Sequence, residues 1–185
     1  MINYELIGKA VTFYTFHLYQ KIEMPWIVGE KSIHATLPPG ATITKCDLGL
    51  LVGSAEQSFI EAMLEQNLKG TYQATTPCFR NEPEDELHQH YFIKTELFSN
   101  LDVCESSLEI VIEDALDFFE LQNVIRPTVK QLGENCFDIV DGIFGIELGS
   151  YGIRKFQDHE WIYGTGCAEP RLSIVLRKQE RKEYA

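Results

Sequence analysis

Basic residues are few in this 185-residue sequence. Sixteen Lys and Arg stand against 28 Asp and Glu, so the formal net charge at pH 7 is -12. A surface with that charge repels polyanions. The one dense basic segment runs from Arg177 to Lys182, and its pattern, broken by Glu180, is typical of a solvated tail. The composition therefore argues against DNA as a partner and disfavours RNA.

Cysteine is scarce, and long apolar runs are absent. The five cysteines lie about thirty residues apart, form no CxxC pair and are odd in number, which argues against a disulfide framework and favours a reducing compartment. No run reaches the roughly 18 apolar residues that a membrane span requires. The N-terminal segment carries Glu5 and Lys9 and lacks a small-residue cleavage site. We expect a cytoplasmic protein with no membrane partner.

The rest of the composition is that of an ordinary globular domain. Apolar residues make up 44% and charged residues 24% of the sequence, which is close to average usage. At this length, folding can bury roughly 70% of the surface of the unfolded chain. No repeat of about 20 to 50 residues is present, and no linker divides the sequence. We expect one domain over residues 1–185.

Periodicity predicts alternating helices and strands. Helical spacing covers residues 4–22, 54–69 and 108–121, and a last helix is expected near Glu169. Ser54 is a suitable N-cap, and Gln57 would complete a capping box. Strand-like runs lie at residues 24–28, 47–53, 72–79, 90–97, 124–125, 137–140, 143–148 and 160–163. Because neighbouring strands are joined by short loops, we predict an α+β fold with an antiparallel sheet flanked by helices.

The first group of reactive residues lies on the two strands at 72–79 and 90–97. Alternate residues of a strand share a face, so Arg80 points with Glu82, and Phe92 points with Lys94 and Glu96. An Arg fork suits a phosphate, an aromatic ring suits a base, and a carboxylate suits an amine. Cross-strand salt bridges on a solvated face would give the same spacing, so both interpretations stay open.

Two glycine-rich segments follow. Glu147 and Ser150, three residues apart, could hold Mg²⁺ between phosphates, although an ordinary glycine turn would also explain them. Gly164 and Gly166 precede the last predicted helix, where a phosphate could approach backbone N–H groups. This segment matches neither the P-loop nor the dinucleotide-binding fingerprint.

Taken in order, these segments resemble the catalytic core of class II aminoacyl-tRNA synthetases, and most closely the seryl-tRNA synthetase family. Residues 72–82, continued by residues 92–96, resemble its second signature motif, and Ser54-Ala55-Glu56 resembles its amino-acid-binding Thr-x-Glu loop. Residues 147–150 are similar to its metal-binding segment and residues 164–171 to its third motif. The helix before Pro25 has its counterpart in the first motif, which forms the dimer interface in that family.

The resemblance implies an enzyme that activates an amino acid with ATP. Arg80 would hold the α-phosphate and Arg171 the γ-phosphate, and both would act in catalysis. Phe92 would stack on adenine while Glu82 reads its amino group. Gly164 and Gly166 belong to the ATP-binding third motif.

The same resemblance implies the metal, the amino-acid contacts and the assembly. Glu147 and Ser150 would carry Mg²⁺. Ser54 would line the amino-acid site, where Glu56 and Glu96 receive the α-amine. The protein would form a homodimer through residues 4–28, whose apolar stripe is wider than one face of this core would bury.

Two departures from the family bear on the acceptor, and a third, Pro170, bears on the γ-phosphate contact and on whether the chain is catalytically silent. No heptad run precedes the core, the loop after Glu82 is short and acidic, and Pro170 stands where the third motif has a small or acidic residue. We therefore expect transfer to a non-tRNA acceptor such as a carrier protein, a small amine or another protein. A catalytically silent module that binds an amino acid, a nucleotide or a partner protein is the alternative. A minimal tRNA ligase and a zinc site at Cys46 and Cys78 are disfavoured.

Overall fold

The computed structural model describes residues 1–38, 40–81 and 83–183. Its helices are α1 (Tyr4–Phe16), α2 (Glu30–His34), α3 (Ala55–Gln66), α4 (Glu105–Leu121) and α5 (Arg171–Glu183). Its strands are β1 (Gln20–Lys21), β2 (Ile27–Val28), β3 (Lys45–Cys46), β4 (Gly49–Leu51), β5 (Thr71–Phe79), β6 (Tyr91–Ser99), β7 (Thr128–Gly133), β8 (Cys136–Val140), β9 (Glu147–Phe156) and β10 (His159–Glu169).

A seven-stranded sheet, counted over the described residues, forms the centre in the order β1-β5-β6-β10-β9-β8-β7. Its neighbouring strands run antiparallel except β1, which pairs parallel to β5. A small separate sheet has the order β2-β4-β3. The predicted α+β class, a mostly antiparallel sheet flanked by helices, is confirmed. In the described ranges no helix has the length and apolar character needed to cross a membrane.

Helices cover both faces of the central sheet. Leu97 packs in the cluster that includes α1 and α4, whereas the next residue, Phe98, packs in the cluster that includes α3. Successive side chains of a strand point to opposite faces. Because Phe92, Lys94 and Glu96 alternate in step with Phe98, they belong to the face that α3 covers.

The β5–β6 hairpin forms as the sequence predicts. Its pairing runs without interruption from Thr71 opposite Ser99 to Phe79 opposite Tyr91. The predicted bounds agree with the observed strands to within two residues at each end. The hairpin therefore brings the ends of residues 72–80 and 90–97 side by side.

Helix α1 is shorter than predicted. It starts with a cap in which the Asn3 side-chain oxygen accepts the N–H of Leu6. It ends at Phe16, because Leu18 has a φ of 68° and the N–H of Tyr19 turns back to the carbonyl of Tyr14 at 3.0 Å. A helix through residue 22 was the wrong prediction, since the apolar residues Leu18, Tyr19 and Ile22 continue the pattern beyond the end of the helix.

Helix α3 begins where predicted. The Ser54 hydroxyl oxygen accepts the N–H of Glu56 at 3.3 Å. Gln57 differs from the expected capping box, because its side-chain oxygen accepts the N–H of Gly53 at 2.8 Å rather than that of Ser54. Helix α4 confirms the predicted helix over residues 108–121 and begins three residues earlier.

Several strand predictions were wrong in extent. Residues 124–125 form no strand, and Arg126 beside them has a φ of 50° that turns the chain. Residues 143–146 form a turn because the Asp141 carboxylate accepts three of their backbone N–H groups. The runs at 24–28 and 47–53 shorten to β2 and β4, whereas the run at 160–163 lengthens to β10.

Two shifts in strand register place residues that matter for the site. Val140 lies opposite Glu147 but Ile139 lies opposite Gly149, so Leu148 is an extra residue on β9. A bulge of this kind turns Glu147 to the same face as Ser150. Between β6 and β10 the extra residue is residue 166.

Candidate active site

A cavity of about 630 Å³ opens on the face of the sheet that α3 covers. Its walls come from the start of α3, the β5–β6 hairpin, β9, β10 and the start of α5. This volume lies within the range of small-molecule sites, roughly 300–1,000 Å³. The cavity brings together seven sequence-predicted site residues: Ser54, Glu56, Arg80, Phe92, Glu147, Ser150 and Arg171.

One wall of the cavity pairs a cation with an aromatic ring. The guanidinium carbon of Arg80 lies 5.1 Å from the centroid of the Phe92 ring. The Arg80 Nε also donates to the carbonyl of Gly53 at 3.5 Å. This arrangement offers a phosphate contact beside a stacking surface for a base. The prediction for Glu82 concerns a position outside the described residues.

A second pair of charges lies at the start of α5. Arg171 donates from Nη1 to Oε1 of Glu147 at 2.8 Å. The Arg171 side chain is 18% exposed and the Glu147 side chain 44%. Since both residues line the cavity, this half-open pair leaves a cation and a carboxylate accessible to a ligand.

The Ser150 hydroxyl donates a short hydrogen bond to the Asp138 carboxylate, which lies opposite it on β8. Burial raises the pKa of Asp138. Because Ser150 uses its proton on Asp138, its lone pairs are left for a ligand in the cavity. Asp138 was not among the sequence-predicted residues.

The oxygen donors of Glu147 and Ser150 fit Mg²⁺. This ion prefers hard oxygen ligands and commonly combines one or two carboxylates with substrate phosphates and waters. Within the described ranges no cluster of three or more His, Cys, Asp or Glu could hold a metal. Two oxygen donors from the protein would leave the other positions around such an ion to waters or to a ligand.

Glu96 lies one layer behind the cavity wall. Its Oε2 accepts a short hydrogen bond from the Ser54 hydroxyl, and Nζ of Lys94 lies 2.6 Å from the same oxygen. Ser54 and Lys94 both line the cavity, whereas Glu96 is 0% exposed. Its Oε1 is buried and has no hydrogen-bond partner among the described residues. The Lys94–Glu96 pair is therefore a buried pair rather than a salt bridge on a solvated face.

Glu56 is buried and already holds two partners. Trp161 donates from Nε1 to its Oε1 at 2.7 Å, and Arg154 donates a short hydrogen bond to its Oε2. Burial raises the pKa of Glu56, although Arg154 and Trp161 act against the shift. The Arg154 guanidinium lies 3.9 Å from the centroid of the Tyr163 ring. Sequence reasoning assigned no role to Arg154 or Trp161.

The structure does not bring Gly164 and Gly166 to the cavity wall. A Cβ on Gly164 would lie 2.9 Å from the ring of Tyr151, and one on Gly166 would lie 2.7 Å from the ring of Tyr14. The Tyr14 hydroxyl donates to the carbonyl of Gly166 at 3.0 Å. Both glycines serve close packing on the opposite face, and α5 begins only at Arg171.

The two cysteines considered for zinc differ in their surroundings. Cys78 is buried on β5, where burial raises its pKa to about 11, and this keeps it a neutral thiol. Cys46 is exposed on β3 in the small sheet. Zinc needs about four well-placed ligands, and the described residues offer no such cluster.

The fold is that of class II aminoacyl-tRNA synthetase catalytic cores, as three solved structures show. The seryl-tRNA synthetase from Pyrococcus horikoshii complexed with ATP matches with a TM-score of 0.71 and 20% identity, over 92% of this chain and 48% of that chain. The cytoplasmic serine-tRNA ligase from Naegleria fowleri in complex with AMP has a TM-score of 0.69 and 17% identity, over 92% and 52%.

A third solved structure extends the likeness beyond the seryl enzymes. PylSc from Desulfitobacterium hafniense, a pyrrolysyl-tRNA synthetase, has a TM-score of 0.71 and 14% identity, over 94% of this chain and 68% of that chain. The chain thus spans about half the length of the two seryl-tRNA synthetases. No protein-family model and no curated protein matches the sequence.

Proposed function

We propose that this chain activates an amino acid with ATP and transfers it to an acceptor other than intact tRNA. The single observation that carries the proposal is that one cavity joins Arg80, Phe92, Arg171 and Glu147 with Ser54 and Glu56. These residues unite the contacts for a nucleotide with those for an amino acid. The fold supports ATP-dependent activation in general terms, because P. horikoshii seryl-tRNA synthetase shares it and is complexed with ATP.

The proposed reaction requires little covalent work from the protein. A carboxylate oxygen of the amino acid attacks the α-phosphorus in line, the new P–O bond forms, and the bond to the β-phosphate breaks to release pyrophosphate. Arg80 would neutralise charge on the α-phosphate and Arg171 charge on the departing pyrophosphate. Mg²⁺ held with Glu147 and Ser150 would supply further charge neutralisation on the phosphates. Phe92 would hold the adenine by stacking.

The amino-acid side of the reaction would use the second half of the cavity. Ser54 and Lys94 face it, with Glu96 behind them. Glu96 does not line the cavity, and its unpartnered Oε1 is buried, so a contact with the α-amine would require Ser54 or Lys94 to move aside. Glu56 lines the cavity, but both its oxygens already accept hydrogen bonds.

The acceptor is proposed to be a carrier protein, a small amine or another protein. The net charge of -12 and the loop that borders the cavity support this. Glu84, Asp85 and Glu86 of that loop are exposed, while its neighbours Pro83 and Leu87 line the cavity. Like charges there would repel the phosphates of an RNA acceptor end. Charging of bulk tRNA by the purified protein would contradict this part of the proposal.

ATP–pyrophosphate exchange, screened over the twenty amino acids, tests the activation step. We expect exchange with at least one amino acid and with Mg²⁺ present. Binding of ATP or an amino acid without exchange would instead identify a catalytically silent binding module. Absence of both exchange and binding would contradict the proposal altogether.

We also propose a homodimer through α1 and β2. Tyr14 and Tyr19 are buried in the chain's own core, but Phe16 is 80% exposed and Trp26 is 54% exposed. Exposed aromatic side chains of this size favour an interface. Light scattering at micromolar concentration should give twice the chain mass of 21.2 kDa, and the monomer mass would overturn the proposal.

A further inference from the structure

Arg154 occupies a position in the amino-acid half of the cavity that the activation step does not use. It lies on β9 opposite Trp161, so the two side chains share the face of the cavity. Its guanidinium lies over the Tyr163 ring and pairs with the buried Glu56. The Arg154 side chain is nevertheless 39% exposed, and it lines the cavity.

The contacts of Arg154 fix its orientation but use few of its donors. A guanidinium carries five N–H groups, and among the described residues Glu56 is the hydrogen-bond acceptor that it contacts. The Tyr163 ring packs against one face of the guanidinium plane, and Trp161 binds the other carboxylate oxygen of Glu56. The remaining donors are therefore held in place and available to a ligand in the cavity.

We propose that Arg154 binds a planar oxygen acceptor at the end of a short substrate side chain. The preferred substrate would then be an amino acid with a carboxamide or carboxylate side chain, not the hydroxyl amino acid that the seryl resemblance implies. This inference rests on the proposed function for the presence of an amino acid in the cavity. It concerns which amino acid binds, not whether activation occurs.

The chemistry of the Arg154–Glu56 pair favours this class. The planar fork of a guanidinium matches the lone pairs of a carbonyl or carboxylate oxygen, whereas a hydroxyl offers one freely rotating oxygen. An apolar side chain would leave the donors of Arg154 without a partner in a confined site, which is costly.

Isothermal titration calorimetry with four amino acids tests the inference on the intact chain. The ligands are L-asparagine, L-aspartate, L-serine and L-2-aminobutyrate, each titrated without ATP. We expect asparagine or aspartate to bind at least about tenfold more tightly than serine and 2-aminobutyrate. Whichever of asparagine and aspartate binds more tightly shows whether the group that Arg154 prefers is a carboxamide or a carboxylate.

Substitution of Arg154 connects this selectivity to one side chain. Arg154→Met should remove the preference, and Arg154→Lys should restore little of it because an ammonium lacks the planar fork. The matched control is Lys155→Met, since Lys155 is the next residue of β9, is 63% exposed and pairs with Glu160. The control should keep the selectivity of the unaltered protein.

A second variant tests the same point without leaving a buried charge that could prevent folding. Arg154→Met leaves the buried Glu56 without its cation, so the double variant Glu56→Gln/Arg154→Met removes both charges together. Loss of selectivity in either folded variant supports the inference. Selectivity that survives in both, a preference for serine, or no binding of any of the four would overturn it. Exchange with serine alone would leave the proposed function standing while this inference fails.

Discussion

Two ion pairs of the site, Lys94–Glu96 and Arg171–Glu147, differ in how far their charges are removed from water. In the amino-acid half, Glu96 is fully buried and Lys94 nearly so, and their side chains are locked to each other and to Ser54. In the nucleotide half, the Arg171–Glu147 pair is half open, with the carboxylate side chain 44% exposed. The first pair is buried and fixed by its contacts, whereas the second keeps its carboxylate partly hydrated.

The difference has an energetic basis. A buried ion pair is expensive to break, because its survivor is left as an uncompensated buried charge. A pair near the surface contributes about 1 kcal/mol or less and can open at low cost. The amino-acid half is therefore suited to rigid selection of a small substrate. The Arg171–Glu147 pair could open at low cost, as the proposed contacts with phosphates and a cation would require.

The largest expected effect tests the difference between the two ion pairs by its consequence for protein stability. Glu96→Gln should lower the free energy of unfolding by about 3 kcal/mol or more, because Lys94 stays charged and buried without a counter-ion. The matched change Glu147→Gln should cost about 1 kcal/mol or less. Urea denaturation followed by circular dichroism measures both. Equal losses for the two variants would show that the two pairs do not differ as argued.

The second effect belongs to the nucleotide half. Arg80→Ala should raise the adenylation barrier by about 3 kcal/mol, or slow the reaction roughly a hundredfold, because the proposed contact of Arg80 with the α-phosphate would strengthen as the transition state forms. Arg80→Lys should recover little, since a point charge does not span two phosphate oxygens. Pre-steady-state exchange rates and ATP titrations measure the effect. Unchanged exchange and ATP binding in Arg80→Ala would mean that Arg80 serves structure alone.

Much of the framework could be predicted from local patterns. The β5–β6 hairpin, α3 with its Ser54 cap and α4 follow from alternation, capping chemistry and helical spacing, which act between near neighbours in sequence. The end of α1 could not be predicted in this way. Its apolar pattern continues past Phe16, and the turn at Leu18 leads into β1, whose partner β5 lies about fifty residues away in sequence.

The site shows the same division between local and long-range information. Arg80 and Phe92 meet because a regular hairpin joins their strands. Asp138 and Trp161 reach the site through pairing with β9, and the bulge at Leu148 decides which face Glu147 takes. No single segment of sequence contains that register. Arg154 was within reach of sequence reasoning, because it lies four residues after Ser150 on one strand.

The third effect concerns Asp138, which we expect to act on Mg²⁺ binding through Ser150. Asp138→Ala should weaken ATP binding in the presence of Mg²⁺ by about tenfold, because Ser150 loses the acceptor that orients its lone pairs. Asp138→Asn keeps an oxygen acceptor and should retain most of the affinity. Titration of ATP with and without Mg²⁺ checks this. A loss that is equal in the two conditions would show that Asp138 acts through stability and not through the metal donors.

The smallest effect is a change in how stability depends on pH. Burial raises the pKa of Glu56 above its usual 4.5, so the folded protein holds this proton to higher pH than the unfolded chain does. The stabilisation that this proton provides is fully present below the pKa of Glu56 in the unfolded chain. It is lost as pH rises through the pKa of Glu56 in the folded protein.

Glu56→Gln should therefore gain stability relative to the unaltered protein as pH increases from about 4.5 towards neutrality. Urea denaturation of both proteins across that window gives the difference between their free energies of unfolding, which cancels the titration of the other carboxylates. Lys155→Met serves as the control, because its exposed side chain contacts Glu160 and not Glu56. A difference that moves in the opposite direction would mean that Arg154 and Trp161 outweigh burial and lower the pKa of Glu56 instead.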